Sequence, residues 1–201
     1  MAELKLNKLN MQTFKDKSVD VISKELSSNT SKLDTGSCSA AVAALSFAML
    51  LRAAAITEKA NGKSDELDYI IRNSENLRQY MVHLIDEDVK CRNPLTIAFM
   101  ENDQEKIDAC LQPACAINAE VINIELKTLE LASDLKAMAP DEAKQYILQC
   151  AELSMAAIKM SKTWILERIK VGSDETYDFI TKRENEIYLQ QAEELYGEII
   201  K

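Results

Sequence analysis

The sequence is poor in the residues that interrupt helices. It contains four glycines and three prolines among 201 residues, and aromatic residues make up only 5% of it. Runs of β-branched and aromatic residues are missing, which argues against a β-sheet. Alanine, leucine, glutamate and lysine are abundant and favour helices. The composition therefore predicts an all-α protein, and the length suits one domain that spans residues 1–201.

A shortage of positive charge disfavours two classes of partner. The formal net charge is −9, and no basic patch that could bind phosphates is visible, so neither nucleic acid nor an anionic membrane is an expected partner. The N-terminal stretch has no apolar core of the signal-peptide type. The longest uncharged stretch, residues 37–51, is too short to span a bilayer. We therefore expect a cytoplasmic protein.

Motifs for metals and nucleophiles are scarce as well. The single histidine, His83, lies among polar residues, which argues against a zinc site or a histidine-based triad. There is no phosphate-binding glycine loop and no Glu-x-x-His pair for a di-metal bundle. The five cysteines form no C-x-x-C pair, so reduced thiols are expected. Small core fillers are the predicted role of four of them, Cys91, Cys110, Cys115 and Cys150.

Apolar residues at helical spacing predict a bundle of about six helices. The predicted helices cover residues 13–27, 37–60, 65–92, 113–138, 141–170 and 174–200. Residues 1–12 are predicted to form a loose arm. Pro94 is predicted to break or kink the chain, with short helical pieces at 94–100 and up to Leu111, and Pro113 is predicted to open the next helix.

The second predicted helix is apolar on every face. Its first part, SCSAAVAALSFAMLL, carries no charge and consists mostly of small residues. A helix of this kind has to be covered on all sides, and small side chains let its neighbours approach closely. We interpret it as a central, buried, Ala-rich helix that is shared between two copies of a dimer. The alternative is the core helix of a monomer.

The polar turn that precedes this helix is the first candidate site. It reads DTGSCS over residues 34–39. The N-terminus of a helix offers free N–H groups and a positive dipole, which can bind an anion or a carbonyl group. Gly36, Ser37 and Ser39 are the candidate substrate-binding residues, because they would let a ligand approach the backbone. A plain helix cap is the alternative.

The acidic segment 86–88 is the second candidate site. Asp88 follows Leu84 by four residues and Ile85 by three, so the pattern places it on the buried side of its helix. A buried carboxylate is costly unless it has a partner, a raised pKa or a ligand. Carboxylates of this kind cluster at functional sites.

Asp86 is the second acidic candidate, and it is predicted to lie nearer to solvent than Asp88. A structural role for Asp88 is the alternative to a functional one. It would then pair with an arginine such as Arg52 or Arg168, or reach water near Pro94.

Three segments, in this order, resemble the cyclodeaminase/cyclohydrolase family of folate one-carbon enzymes. That family has a Pro-Gly-Gly-Gly-Ser turn entering an Ala-rich helix, which corresponds here to residues 35–39 and the AAVAALSFAMLLRAAAIT that follows. A Leu-Ile/Val-Asp-Glu-Asp segment follows late in the next long helix, here residues 84–88. A proline then opens a long helix rich in leucine and glutamate, here Pro113. The resemblance covers about residues 13–195.

The sequence departs from the family pattern at the turns. Thr35 replaces the family proline, and Ser37 and Cys38 replace two of its three glycines. The family also has a Ser-Asp-Ala-Gly turn before its next helix, where this chain has APDEA at residues 139–143. Half of the ligand cradle that the resemblance implies is therefore altered.

The resemblance implies a fold, an activity and site residues. The activity would be that of methenyltetrahydrofolate cyclohydrolase or formiminotetrahydrofolate cyclodeaminase, on a folate substrate and without a metal or organic cofactor. Without a formiminotransferase domain in the sequence, the cyclohydrolase is favoured. Asp88 would be catalytic with Asp86 assisting, while Gly36, Ser37 and Ser39 would hold the substrate in a dimer with sites near the subunit interface.

The alternative is a non-catalytic relative. It would bind a folate, another small planar ligand or a partner protein.

Overall fold

The computed structural model describes residues 13–28 and 33–201 of the chain. Within these ranges there is no strand, and the residues form six helices: α1 (Val19–Leu26), α2 (Thr35–Asn61), α3 (Asp65–Glu101), α4 (Gln104–Met138), α5 (Asp141–Ile169) and α6 (Glu175–Ile200). The predicted all-α class is confirmed. The predicted loose arm, residues 1–12, lies outside the described residues.

The helix α2 occupies the centre of the bundle. It contacts α3, α4 and α5, whereas α6 packs on the outside against α4 and α5. Four alanines of α2 have no exposed surface, namely Ala40, Ala43, Ala53 and Ala54. The prediction of a central, buried, Ala-rich helix is therefore confirmed.

By length and composition, α2 could also cross a membrane, and it is the one described helix of which this is true. Half of its most apolar window is buried within the bundle. Packing against three neighbouring helices accounts for the apolar character of α2 without a bilayer.

The helices α3 and α4 continue through their prolines, so the predicted break at Pro94 and the predicted start at Pro113 are wrong. Pro94 lies inside α3 and Pro113 inside α4. Each proline removes one hydrogen bond and strains the preceding turn, at a cost of about 3 kcal/mol. Burial of residues beyond the proline, such as Leu95 in α3, offsets this cost. The chain instead turns at Asn102, which has a φ of 52°.

The first helix is shorter than predicted. It begins at Val19 rather than at residue 13, because Ser18 caps it by accepting a hydrogen bond from the amide of Val21 (3.4 Å). The residues before Ser18 place Phe14 in the core, where it is 1% exposed. The path of residues 13–18 is therefore determined by burial of the Phe14 side chain rather than by helical periodicity.

All five cysteines are free thiols. Cys115 and Cys150 are buried among apolar residues, which confirms their predicted role as core fillers. Cys91 and Cys110 are only partly buried and pack at the edge of the core.

Candidate active site at the start of α2

The residue Asp34 anchors the start of α2 to α5. It is the N-cap, and its Oδ1 accepts a hydrogen bond from the amide of Thr35 (2.7 Å). Its Oδ2 accepts from the indole of Trp164 (3.2 Å) and the guanidinium of Arg168 (3.1 Å). Burial alone would raise the pKa of Asp34, but these donors and the nearby guanidinium of Arg92 together lower it. Asp34 is therefore an ionised carboxylate.

The carboxyl group of Asp88 is fully enclosed beside the first turn of α2. It has no exposed surface, which confirms that it faces the core. The hydroxyl of Ser37 donates to its Oδ2 (2.7 Å), and the amide of Asn118 donates to its Oδ1 (3.4 Å). Burial raises the pKa of Asp88, against the opposing effects of Ser37 and Arg92. The ion-pair partner of Asp88 is Arg92, with Nε 3.9 Å from Oδ2, and not Arg52 or Arg168.

The glycine at position 36 is what lets Asp88 approach the helix. A Cβ atom at Gly36 would lie 2.1 Å from Oδ1 of Asp88 and 2.7 Å from Nδ2 of Asn118. The carboxylate therefore packs directly on the backbone of the first turn, where the positive end of the helix dipole favours an anion. The anion at this helix N-terminus is the chain's own side chain.

Ser39 lies deeper in the same hydrogen-bond network. It has no exposed surface, donates to the carbonyl of Gly36 (2.8 Å) and accepts from the hydroxyl of Ser161 (2.9 Å). Ser37 is almost as deeply buried, with 2% of its surface exposed. The structure thus brings Gly36, Ser37 and Ser39 together with Asp88, but inside the protein.

Asp86 is not part of this network. Two residues along a helix point about 200° apart, so Asp86 and Asp88 enter different surroundings. Asp86 is 7% exposed and accepts a hydrogen bond from the amide of Phe14 (2.6 Å). Asp86 is more exposed than Asp88, as predicted, but it is still buried, and Phe14 covers it rather than solvent.

An open cleft adjoins the enclosed carboxylate. The cleft, called the α2 cleft below, has a volume of about 440 Å³. Its lining residues are Leu26, Ser28, Leu33, Asp34, Thr35, Cys38, Arg92 and Met160. The side chain of Arg92 lies between the cleft and the buried Asp88. Its Nε is 3.8 Å from Oδ2 of Asp34, which lines the cleft, and 3.9 Å from Oδ2 of Asp88.

Sequence reasoning missed Asp34 and Arg92 as site residues. Arg92 follows Asp88 by four residues on α3, and this spacing places the two side chains on one helix face. The spacing was therefore a usable signal for Arg92. The position of Asp34 as an N-cap was visible, but its contacts with α5 were not.

A family model described as formiminotransferase-cyclodeaminase matches residues 18–186. The chain belongs to the formiminotransferase-cyclodeaminase family. The fold agrees with the crystal structure of formiminotetrahydrofolate cyclodeaminase from Thermotoga maritima, with a TM-score of 0.84 and 20% sequence identity. The superposition covers 92% of this chain and 94% of that one. A comparison with curated proteins gives no match.

The two altered turns of the family pattern lie at opposite ends of α2. Asn61, the last residue of α2, donates a hydrogen bond to the carbonyl of Met138 (2.7 Å), just before the turn at 139–143. At 1.5 Å per residue, the 27 residues of α2 separate that turn from Gly36 by about 40 Å. Within one chain, the two turns of this family member cannot form a single ligand cradle.

Other polar side chains of this family member do not suggest a metal centre. Across residues 13–28 and 33–201, no group of three or more His, Cys, Asp and Glu side chains is placed to hold a metal ion. The side chain of His83 is 51% exposed, with Nε2 3.4 Å from Glu87, as its polar surroundings in the sequence predicted.

Proposed function

We propose that this chain is a folate one-carbon enzyme that acts at the α2 cleft, as a methenyltetrahydrofolate cyclohydrolase or a formiminotetrahydrofolate cyclodeaminase. Membership of the formiminotransferase-cyclodeaminase family supports a folate substrate. The observation that carries the proposal is the enclosed carboxyl group of Asp88, which Arg92 connects to the open cleft. Burial raises the pKa of this carboxyl group, which favours its use in exchanging a proton with a substrate.

Both reactions need the same two contributions from the protein. In the cyclohydrolase reaction water adds to the cationic methenyl carbon and loses one proton; the bond from this carbon to N5 then breaks as the formyl C=O forms and the remaining hydroxyl proton passes to N5. In the cyclodeaminase reaction N10, which lies outside the pterin ring, attacks the formimino carbon and loses its proton, and ammonia leaves after gaining a proton. The ionised carboxylate of Asp34 would stabilise the cationic carbon, and Asp88 would exchange the proton.

Access to Asp88 requires a movement of Arg92. The side chain of Arg92 is 15% exposed and lines the cleft, whereas that of Asp88 has no exposed surface. We propose that Arg92 turns away from Asp88 to pair with a carboxylate of the folate tail. This exchange of partners would open Asp88 to the reacting carbon only when substrate is bound.

The variant Asp88→Asn tests the role of this carboxyl group. It should lower kcat by about 100-fold or more, because general acid–base catalysis contributes on that scale. Loss of methenyltetrahydrofolate is followed by its near-ultraviolet absorbance, and release of ammonia from formiminotetrahydrofolate is measured in parallel. The matched control is Glu87→Gln in the same acidic segment, because Glu87 pairs with Lys90 and His83 at the surface. Wild-type protein that turns over neither substrate would reject the enzyme proposal.

A non-catalytic folate-binding relative is the second candidate function. The complete enclosure of Asp88 behind Ser37, which replaces a family glycine, favours it. Calorimetric titration with tetrahydrofolate derivatives separates the two candidates, since saturable binding without turnover would support this second function.

We also propose that the protein is a homodimer, with α2 at the interface. Ala41, Leu45, Ala48 and Arg52 follow one another at three- or four-residue spacing and form one strip of α2, called the open face below. Leu45 is 55% exposed in the single chain, although it lies in the middle of the most apolar helix. A second copy would cover this strip.

A cytoplasmic location and independence from a metal or organic cofactor stay predictions.

A further inference from the structure

A second cleft lies between α4, α5 and α6, away from the start of α2. It has a volume of about 270 Å³ and is called the α6 cleft below. Ala116, Ala119 and Ile122 of α4 and Ile165 of α5 give it apolar walls, while polar residues of α6 line the other side. Apolar walls with a few polar groups are typical of small-molecule sites.

One polar atom at this cleft lacks a hydrogen bond. Asn185 lines the cleft and is 5% exposed, and its Nδ2 donates to the carbonyl of Thr181 (2.9 Å). Because a carbonyl can only accept, this contact fixes the orientation of the amide and directs Oδ1 elsewhere. Oδ1 is buried, and no hydrogen-bond partner for it is found in the described part of the chain. A buried acceptor without a donor destabilises the folded protein, and a ligand that donates a hydrogen bond to it would remove this cost.

The other polar side chains that line the α6 cleft indicate which chemical groups a ligand should carry. The hydroxyl of Tyr177 is engaged with Cys115 and Thr181, and burial raises the pKa of Tyr177 to about 12. Tyr177 is therefore uncharged near neutral pH and already has partners. At the rim, the carboxylate of the exposed Glu184 is a second acceptor. Beside its apolar wall the cleft thus offers two acceptors, Oδ1 of Asn185 and the carboxylate of Glu184, and other side chains along its lining can both donate and accept, namely Gln112, Asn123, Thr181 and Tyr188.

We propose that the α6 cleft binds a small planar heterocycle that carries N–H donors along one edge, of the aminopyrimidine class. The ring would lie against the apolar walls, and the donors would face Oδ1 of Asn185 and the carboxylate of Glu184. This site is independent of the activity proposed for the α2 cleft, because the two clefts share no lining residue.

Titration of the full chain with 2,4-diaminopyrimidine tests this proposal, with NMR detection of the side-chain amide of Asn185. Saturable binding should shift this signal, and pyrimidine, which has no N–H donor, should bind at least about tenfold more weakly. Asn185→Leu should weaken binding by a similar factor. Asn73→Leu is the matched control, because Asn73 makes the same amide contact to the residue four positions earlier, Tyr69, on a different helix.

Three results would overturn the proposal: no saturable binding of 2,4-diaminopyrimidine, equal binding of pyrimidine, or equal binding by the Asn185→Leu variant. If Asn185→Leu does not fold, as judged by circular dichroism, Ala119→Met replaces it. This substitution fills the cleft from α4 and should also weaken binding, whereas unchanged binding would again contradict the proposal.

Discussion

The backbone at Gly36 is packed against a carboxylate, and this close contact decides which residues the position tolerates. The first turn of α2 is helical there, so backbone conformation alone would accept alanine. The surroundings of Gly36 leave no room for alanine, because a Cβ atom at this position would lie 2.1 Å from Oδ1 of Asp88. Of the three family glycines, the one that this chain retains is the one whose hydrogen atom faces Asp88.

We expect Gly36→Ala to destabilise the protein by about 1–3 kcal/mol, the usual range for overpacking a filled site. It should also lower any folate-dependent activity, because Asp88 has to move. Urea unfolding gives the change in free energy. Gly197→Ala in α6 is the control, because a Cβ atom there meets nothing within 4 Å. That change should stabilise the helix by about 0.5–1 kcal/mol. Equal effects of the two substitutions would contradict this account of Gly36.

Glu125 is a second enclosed carboxyl group, outside both clefts. It has no exposed surface, and the hydroxyl of Ser46 donates to it (2.9 Å). Thr128, Ser154 and the thiol of Cys150 are its other polar neighbours. Burial raises the pKa of Glu125 to about 8, against the opposing effect of these hydroxyls. The group is therefore largely protonated in the folded protein at neutral pH.

This raised pKa predicts that the stability of the folded protein falls as the pH rises from 4.5 to about 8. Between pH 4.5 and about 8 the unfolded chain releases the proton of Glu125 while the folded chain keeps it. Unfolding is therefore favoured by about 1.4 kcal/mol for each pH unit in this window. Glu125→Gln lacks this proton, so the variant should become more stable relative to wild type as the pH rises. Urea unfolding at pH 5 and pH 9 measures the difference, and parallel pH profiles would contradict it.

Individual helices show where sequence patterns were sufficient. The predicted helices 141–170 and 174–200 agree with α5 (Asp141–Ile169) and α6 (Glu175–Ile200) to within one residue. Polar and proline-containing breaks bound both of them, and Asp174 caps α6 by accepting from the amides of Thr176 and Tyr177. Local signals determine these bounds. Near Pro94 and Pro113 the helices continue because residues beyond each proline are buried. Helical periodicity alone does not predict this burial.

The proline in α3 provides a test of that explanation. Pro94 is exposed and inside the helix, so Pro94→Ala restores a backbone donor without disturbing the core. We expect a gain in stability of up to about 3 kcal/mol, measured by urea unfolding. Asn93→Ala, at the adjacent exposed position, is the control for helix propensity alone and should change stability by a few tenths of a kcal/mol. A loss of stability in Pro94→Ala would show that the core requires a bend at this proline.

At the scale of the whole molecule, the open face of α2 predicts that the protein forms a homodimer. Leu45→Glu places a charge on that strip, so it should convert a dimer into a monomer at micromolar concentration. Light scattering measures the mass, and circular dichroism verifies that the helices persist. Phe179→Glu is the control, since Phe179 is 70% exposed on α6, which lies on the outside of the bundle. A wild-type monomer, or a Leu45→Glu dimer, would contradict the proposed interface.

The candidate site was only partly predictable at this scale. Helical spacing placed Asp88 on the buried face of α3, and the family resemblance singled out Gly36. The same spacing relates Glu125 to Val121 and Ile122, so that carboxyl group was also detectable from the sequence. The contact between Asp88 and Gly36 was not detectable from the sequence, because it joins residues 52 positions apart on two helices.

The sequence by itself determined the all-α class, the central Ala-rich helix and the inward direction of Asp88. These properties follow from composition and from the 3.6-residue period, both of which act over a few neighbouring residues. Only the tertiary structure decided that Asp88 lies enclosed on the backbone of α2, that Asp34 and Arg92 face the open cleft, and that Asp86 holds Phe14. These contacts arise where separate helices and segments pack together, and no local pattern specifies which residues meet there.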